Sequence, residues 1–303
     1  TDAADLPHVE TIAVIDPGLP AAGGLLETVR RNAGILGTVR AMARRCDALC
    51  ERLPPLLKEL GADLVVADQT EPAGALAAMR LGLPHASLAC ALPLDREPGI
   101  PPPFVDWMHH PDGSRDWLYA GGHRITDWLM QPLSRVIYRR AQSWGMQGVA
   151  NLDTTFSRTL QIFQLPRSLD WPRTTPPTHA HWVGPLRDAG PEPFGLPEDA
   201  CREDGRPLAF CSLGTLQGFR AGLLHTIAES VAAAGFRPVI AHGGLLSVDA
   251  AASLQGDPIV AGWLPQRALL ARSAIAVVHG GLNTVLDALA AGVPLVVIPL
   301  AYE

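Results

Sequence analysis

The chain has 303 residues, 48% of them hydrophobic and 18% charged, with a formal net charge of -6. That apolar share can bury large cores, and at roughly 100–200 residues per domain the length predicts two domains. A mildly acidic balance with no run of Lys or Arg excludes a nucleic-acid footprint, and five cysteines without framework spacing predict free thiols in a reducing compartment.

In chain order, residues 11–15, 64–67 and 85–89 are short aliphatic or β-branched runs ended by polar or Gly/Pro punctuation, which predicts strands. Residues 37–60 carry apolar side chains at helical spacing, so this part reads β-α-β. Cys46 and Cys50 can share a face of that helix, but no neighbouring Cys/His set completes a metal site. Residues 98–148 break the pattern with Trp107, Trp117, Trp128, Trp144 and three histidines, and helical spacing is clearest after Thr126. Two readings stay open there: a surface helical insertion anchored by its aromatics, or a wall over an apolar ligand.

Prolines then accumulate from 166 to 207, which predicts an interdomain linker at 185–206 between a domain at 1–184 and one at 207–303. A second alternating series follows, with strands expected at 208–212, 238–241, 259–261, 275–278 and 295–298. The predicted class is α/β, with two Rossmann-like domains facing across a cleft and ligands beyond the carboxyl ends of the strands. The longest apolar run, 288–302, is broken by Gly292, Pro294 and Pro299 and falls short of the roughly 20 residues a spanning helix needs, which predicts a soluble protein. Since the chain opens on Thr1 rather than Met and stops at Glu303 straight after a strand, both ends are expected to be cut and both domains incomplete.

The strand ends carry the chemistry. After 208–212 comes Leu213-Gly214-Thr215, and after 275–278 comes His279-Gly280-Gly281-Leu282-Asn283-Thr284, running into a helix that ends near Gly292. A helix N-terminus offers free backbone N–H groups and the positive end of a dipole, which suits a phosphate, and glycines let that backbone come close. His279 and Asn283 add side-chain donors and Thr215 a hydroxyl, so this turn is a candidate pyrophosphate cradle. A plain capping box, Thr284 to Asp287, is the alternative. A third strand end carries WLPQ at 263–266, where Trp263 offers a flat face for a base or, alternatively, anchors a domain interface. Asp287, one turn into the helix, can accept from a ribose hydroxyl pair. Base, ribose and pyrophosphate together describe a nucleoside diphosphate with something attached.

WLPQ at 263–266, HGGLNTVLD at 279–287, Gly292-Val293-Pro294, Pro299 and Ala301-Tyr302-Glu303 resemble the donor signature of the UDP-dependent glycosyltransferases, a two-domain family of the GT-B type. The resemblance implies that Trp263 stacks on uracil and that Gln266 and Asp287 hold the ribose. It further implies that His279, Asn283 and Thr284, with Gly281 and Thr215 beside them, contact the diphosphate, and that Glu303 reads the sugar. Leu282 and Asp287 depart from the plant pattern, which has tryptophan and glutamate at those places. ADQTEPAGAL at 67–76, LGLPHASLACALPLDREP at 81–98 and FCSLGTLQG at 210–218 resemble the bacterial branch that glucosylates zeaxanthin.

Within that family an acceptor-domain histidine takes the proton of the acceptor hydroxyl and an aspartate orients it; Asp68 matches the aspartate and no residue matches the histidine. The chain alone is therefore expected to turn over little. No Asp-x-Asp pair points to a metal, and no cofactor is implied, UDP-glucose being a co-substrate. The implied partners are a UDP-sugar and an apolar hydroxylated acceptor such as a carotenoid, reached from the cytoplasm by peripheral contact with the membrane, and not nucleic acid. A macrolide, sterol or phenolic acceptor, or a non-catalytic nucleotide-binding module, stand as alternatives. The slot for an apolar acceptor is expected between Phe104 and Trp144.

Overall fold

The computed structural model describes residues 34–187, 195–197 and 205–300. The expected strand at 11–15, most of the segment 185–206, and Glu303 lie outside the described residues.

Helix α1 (Gly34–Glu59) sets Val39, Ala43, Cys46, Leu49, Leu53 and Leu57 at three- and four-residue steps, and this stripe is its buried face. It leads to β1 (Val65–Asp68), α2 (Pro72–Leu81) and β2 (His85–Ala89), then to α3 (Asp116–Leu129), α4 (Gln131–Ser143), β3 (Gln161–Phe163) and β4 (Ala180–Trp182). The four strands form one parallel sheet in the order β1-β2-β3-β4. The stripe on α1 packs with Leu76 and Ala77 of α2 and Leu133, Ile137 and Ala141 of α4. Cys46 and Cys50 do share a helix face, and that face is core. The hydrogen bond to Cys50 and burial push the Cys46 thiol far above the ordinary range, as befits a packed thiol rather than a metal ligand.

The insertion forms its first helix earlier than its spacing predicts, at Asp116 rather than Thr126. Gly121 and Gly122 interrupt the apolar period there, and Gly122 is required by packing: a Cβ on it would stand 2.7 Å from Cζ3 of Trp107 and 3.0 Å from Pro102. Tyr119, buried beside it, stacks on Trp107 and donates its hydroxyl to the Met108 carbonyl at 2.6 Å. Trp107 and Tyr119 thus anchor the insertion, while Trp117 and Trp128 point to solvent.

The second series runs β5 (Leu208–Ser212), α5 (Gly214–Gln217), α6 (Ala221–Ala233), β6 (Arg237–Ala241), α7 (Val248–Ala252), β7 (Ile259–Ala261), α8 (Gln266–Leu270), β8 (Ser273–Val278), α9 (Leu282–Ala290) and β9 (Leu295–Val297). All five strands are parallel, in the order β7-β6-β5-β8-β9. Alternate residues feed two cores: Leu208, Phe210, Val239 and Ala276 on one face, Ala209, Cys211, Ile240 and Val277 on the other. Burial on both faces is why these strands read as unbroken apolar runs. The chain steps outward from β5 to β7, then returns to the far side of β5, so the order reverses between β5 and β8. Among the described residues no helix is long and apolar enough to cross a membrane.

Replacing Gly122 by Val is expected to lower stability by about 1–3 kcal/mol, because the added methyls meet the Trp107 ring. The check is the urea midpoint at unchanged slope; an unmoved midpoint would mean that Trp107 yields freely and anchors nothing.

Candidate active site

At the reversal point two loops touch. Gly214, directly after β5, has φ +71, and a Cβ there would stand 2.5 Å from Nε2 and 2.6 Å from Cε1 of His279, directly after β8. Only glycine leaves room for that ring. Burial pushes the His279 pKa below its ordinary value, partly offset by a hydrogen bond with the Ser212 backbone, so at neutral pH the ring is uncharged. Gly281 then caps α9, its carbonyl accepting from Thr284 N at 3.0 Å and Val285 N at 3.1 Å. The first N–H groups of α9 and its dipole face the same crevice as His279.

The ends of β6 and β7 join this cluster through the backbone. His242 N donates to Ala261 O at 3.1 Å and Gly243 N to Gly262 O at 2.8 Å. Gly218, behind Thr215, lets the loop after β5 close on the loop after β6, since a Cβ there would lie 2.0 Å from the His242 carbonyl oxygen. The buried His242 ring accepts from Leu246 N at 2.9 Å through Nδ1, and burial lowers its pKa as well. Trp263, more than half exposed, follows β7 with its Nε1 beside Gly244. Thr215, Trp263, His279 and Gly281 therefore all lie just beyond the carboxyl ends of β5, β7 and β8, Thr215 beside Gly243 and Trp263 beside Gly244.

A polar network sits on the flank of α9. Gln266 Nε2 donates to Asp287 Oδ2 at 2.7 Å, and the Thr284 hydroxyl donates to Gln266 Oε1 at 3.1 Å. The capping-box alternative is thereby set aside: Thr284 spends its hydroxyl on Gln266, and no side chain caps the start of α9. A residue that sequence reasoning did not single out completes the network. Arg187 donates from Nε to Asp287 Oδ1 at 2.7 Å, from Nη1 to Asn283 Oδ1 at 3.1 Å and from Nη2 to Asn283 O at 3.1 Å. Its signal was faint, one of five arginines in the proline-rich segment 166–207.

On the other sheet, Asp68 closes β1 and accepts at Oδ1 from Thr70 N at 2.7 Å and from the Thr70 hydroxyl. The Cys90 thiol, just after β2, is close enough to feel the Asp68 carboxylate: burial, then Asp68, push that thiol up to about 12, so it stays protonated. Gln164, just after β3, also acts on Cys90 and accepts from Leu186 N at 3.2 Å. Nearby, Gln69 donates to Asp95 Oδ2 at 2.7 Å, and Asp95 lines a cavity of ≈ 240 Å³ with Leu92, Ile100, His123, Trp171 and Arg173. The aromatic in that wall is Trp171, from outside the insertion, while Trp107 packs against Gly122 and Tyr119 and Trp128 is exposed. The insertion contributes Ile100, Pro101, Pro103 and His123 instead.

A family model described as UDP-glucoronosyl and UDP-glucosyl transferase matches residues 126–303. The chain belongs to that family. It is 39% identical over 274 residues to a zeaxanthin glucosyltransferase of Pseudescherichia vulneris, covering 90% of this chain and 65% of that relative. To a zeaxanthin glucosyltransferase of Pantoea ananas it is 38% identical over 271 residues, covering 89% of this chain and 63% of the relative. The chain thus spans just under two thirds of the length of these relatives. A solved glycotransferase of kitacinnamycin superposes with a TM-score of 0.65 at 19% identity, over 88% of this chain and 65% of that one, a likeness of fold. The family fold is α/β of the GT-B type, and both parallel sheets described above belong to it.

Acid is expected to destabilise the protein through one buried histidine, His242, and three half-buried ones. Burial holds the pKa values of His85, His123, His242 and His279 below 6.5, so below that pH the unfolded chain takes up protons that the folded chain refuses. Stability present above about pH 6.5 is lost as the pH falls toward the folded values. Glu71 and Asp153, whose pKa values burial raises, act in the opposite sense, so the comparison is made with His242→Asn, which keeps an acceptor for Leu246 N but cannot titrate. The melting temperature of the variant should fall less between pH 7.5 and pH 5.5 (roughly the window that an ordinary histidine pKa sets). An equal fall in both proteins would remove His242 from the account.

Proposed function

We propose that the protein is a UDP-dependent glycosyltransferase that moves glucose from UDP-glucose to a hydroxyl of a carotenoid such as zeaxanthin, with inversion. The observation that carries the donor half is the contact of the Gly214-Thr215 loop with His279, just before α9, at the reversal point of the second sheet, where open α/β sheets bind ligands, with Trp263 beside Gly244 on the same carboxyl edge of the sheet. In this reading Trp263 stacks on uracil, Gln266 and Asp287 hold the ribose, and His279, Gly281 and Asn283 face the diphosphate, while Thr284, buried with its hydroxyl on Gln266, braces the start of α9. Glu303 is assigned the sugar hydroxyls by resemblance alone. The leaving diphosphate is then stabilised by neutral donors: backbone N–H groups, the Asn283 amide and an uncharged imidazole.

The acceptor half is assigned to 1–184 and the donor half to 207–303, with 185–206 linking them. Asp68 is proposed to orient the base that deprotonates the acceptor hydroxyl. The apolar cavity beside Asp95 supports binding of a ring-sized end of the acceptor, and 39% identity to a zeaxanthin glucosyltransferase supports the carotenoid. The exposed Trp117, Ile125 and Trp128, separated by eight and then three positions along α3, give that helix an apolar face suited to peripheral contact with a membrane holding such an acceptor.

The test is to give the full-length protein, of the length of its relatives, UDP-glucose with zeaxanthin, a flavonoid and a macrolide in parallel and to follow acceptor mass. A hexose increment on zeaxanthin is expected; an increment only on another acceptor keeps the donor reading and discards the carotenoid, and none on any acceptor discards the activity. Trp263→Ala is expected to raise the KM for UDP-glucose roughly tenfold or more, the worth of one stacked base, with the acceptor KM unchanged. Steady-state kinetics with each substrate varied in turn decide this, and equal rises in both would speak for Trp263 as an interface anchor.

A further inference from the structure

We infer that Arg187 is a positioning residue of the donor site, orienting Asn283 and balancing Asp287 for a nucleoside diphosphate, and tying that site to the strand ends that carry Asp68. The inference rests on the donor reading above. A guanidinium has no acceptor, so the atom of Asn283 that faces Nη1 at 3.1 Å is its oxygen. That settles the amide: with Oδ1 held, the NH₂ group is the one free to meet an anion at the start of α9. Without Arg187 the amide can turn and offer its oxygen to a phosphate, which repels it.

Charge acts in the same direction. Asp287 sits one turn into the helix that receives the diphosphate, and an unbalanced carboxylate there opposes a second anion. Arg187 Nε, at 2.7 Å, cancels that charge while Gln266 takes the other carboxylate oxygen. The guanidinium reaches Asp287 and Asn283 together because it is a rigid planar fork, a task that an ammonium cannot copy.

The third part is connectivity. Leu186, the preceding residue, donates its N–H to Gln164 Oε1 just after β3, and Gln164 and Asp68 both act on the Cys90 thiol. The Leu186–Gln164 hydrogen bond, the surroundings of Cys90 and one peptide link therefore connect Asp68 with Asn283 and Asp287, so the residue proposed to orient the base and those proposed to hold the donor share one scaffold.

The experiment is titration calorimetry of the purified protein with UDP and with uridine, on wild type, Arg187→Ala, Arg187→Lys and His279→Ala, with melting temperatures alongside. Arg187→Ala is expected to weaken UDP about tenfold or more, the scale of charge-assisted hydrogen bonds, and uridine much less. Arg187→Lys should recover part of the loss, and millimolar guanidinium should restore UDP binding to Arg187→Ala, which a purely structural role would not allow. If Arg187→Ala melts early, Arg187→Gln, of similar bulk and uncharged, is compared in its place. UDP affinity unchanged within about twofold in these variants while His279→Ala weakens it would overturn the inference and leave the donor reading standing. No UDP binding by the wild type would overturn the donor reading and the inference with it.

Discussion

The contact between the His279 ring and Gly214 is the constraint on which the donor-side geometry depends. A parallel sheet that reverses its order leaves the ends of its two middle strands free to diverge, and something must fill the gap. Here an imidazole fills it, and the chain leaving β5 can turn into α5 only because Gly214 carries no side chain. The ring is thereby buried enough to stay neutral. The same contact sets where α9 begins, so one packing event aligns a helix dipole, a neutral donor and a hydroxyl-bearing loop.

Around that contact the molecule spends its polar groups on one another. Asp287, Gln266, Thr284 and Arg187 satisfy each other almost completely before any ligand arrives. A similar economy operates in the first half, where the Arg173–Asp170 pair is 3% and 2% exposed and Asp170 also accepts from Trp182 Nε1 at 2.8 Å. Buried ions of this kind cost little while paired, but several kcal/mol, roughly 3–5, if one partner is removed. They are better understood as fixing shape than as adding stability, and both pairs lie where shape matters: one beside the cavity wall, one on the flank of α9.

The second sheet was legible in the sequence because it is buried on both faces, so β5 and β7 fall at the residues their apolar runs predict and the others within a few residues. The first sheet was less so. β3 and β4 are three residues long, and β3 opens on Gln161, a polar side chain buried by bonds to Gln69 and to Ser157 O, which erases the apolar signal. The start of α3 was hidden by a glycine whose reason, the Trp107 ring, lies fifteen positions away in the chain. In the candidate site, residues with a strand-end position were found, whereas Arg187 and Trp171 were not. Their roles come from what they touch across the fold, and no local spacing encodes that.

Leu186 and Arg187 are neighbours in the chain, yet one is bonded to the first sheet and the other to a helix of the second. Consecutive Cα atoms across a trans peptide are about 3.8 Å apart, with only two soft torsions between the anchors. This junction therefore has no slack. Any change in the separation of the two sheets must either release one anchor or pass through the torsions of that single step, which makes it a joint with a fixed pivot rather than a tether.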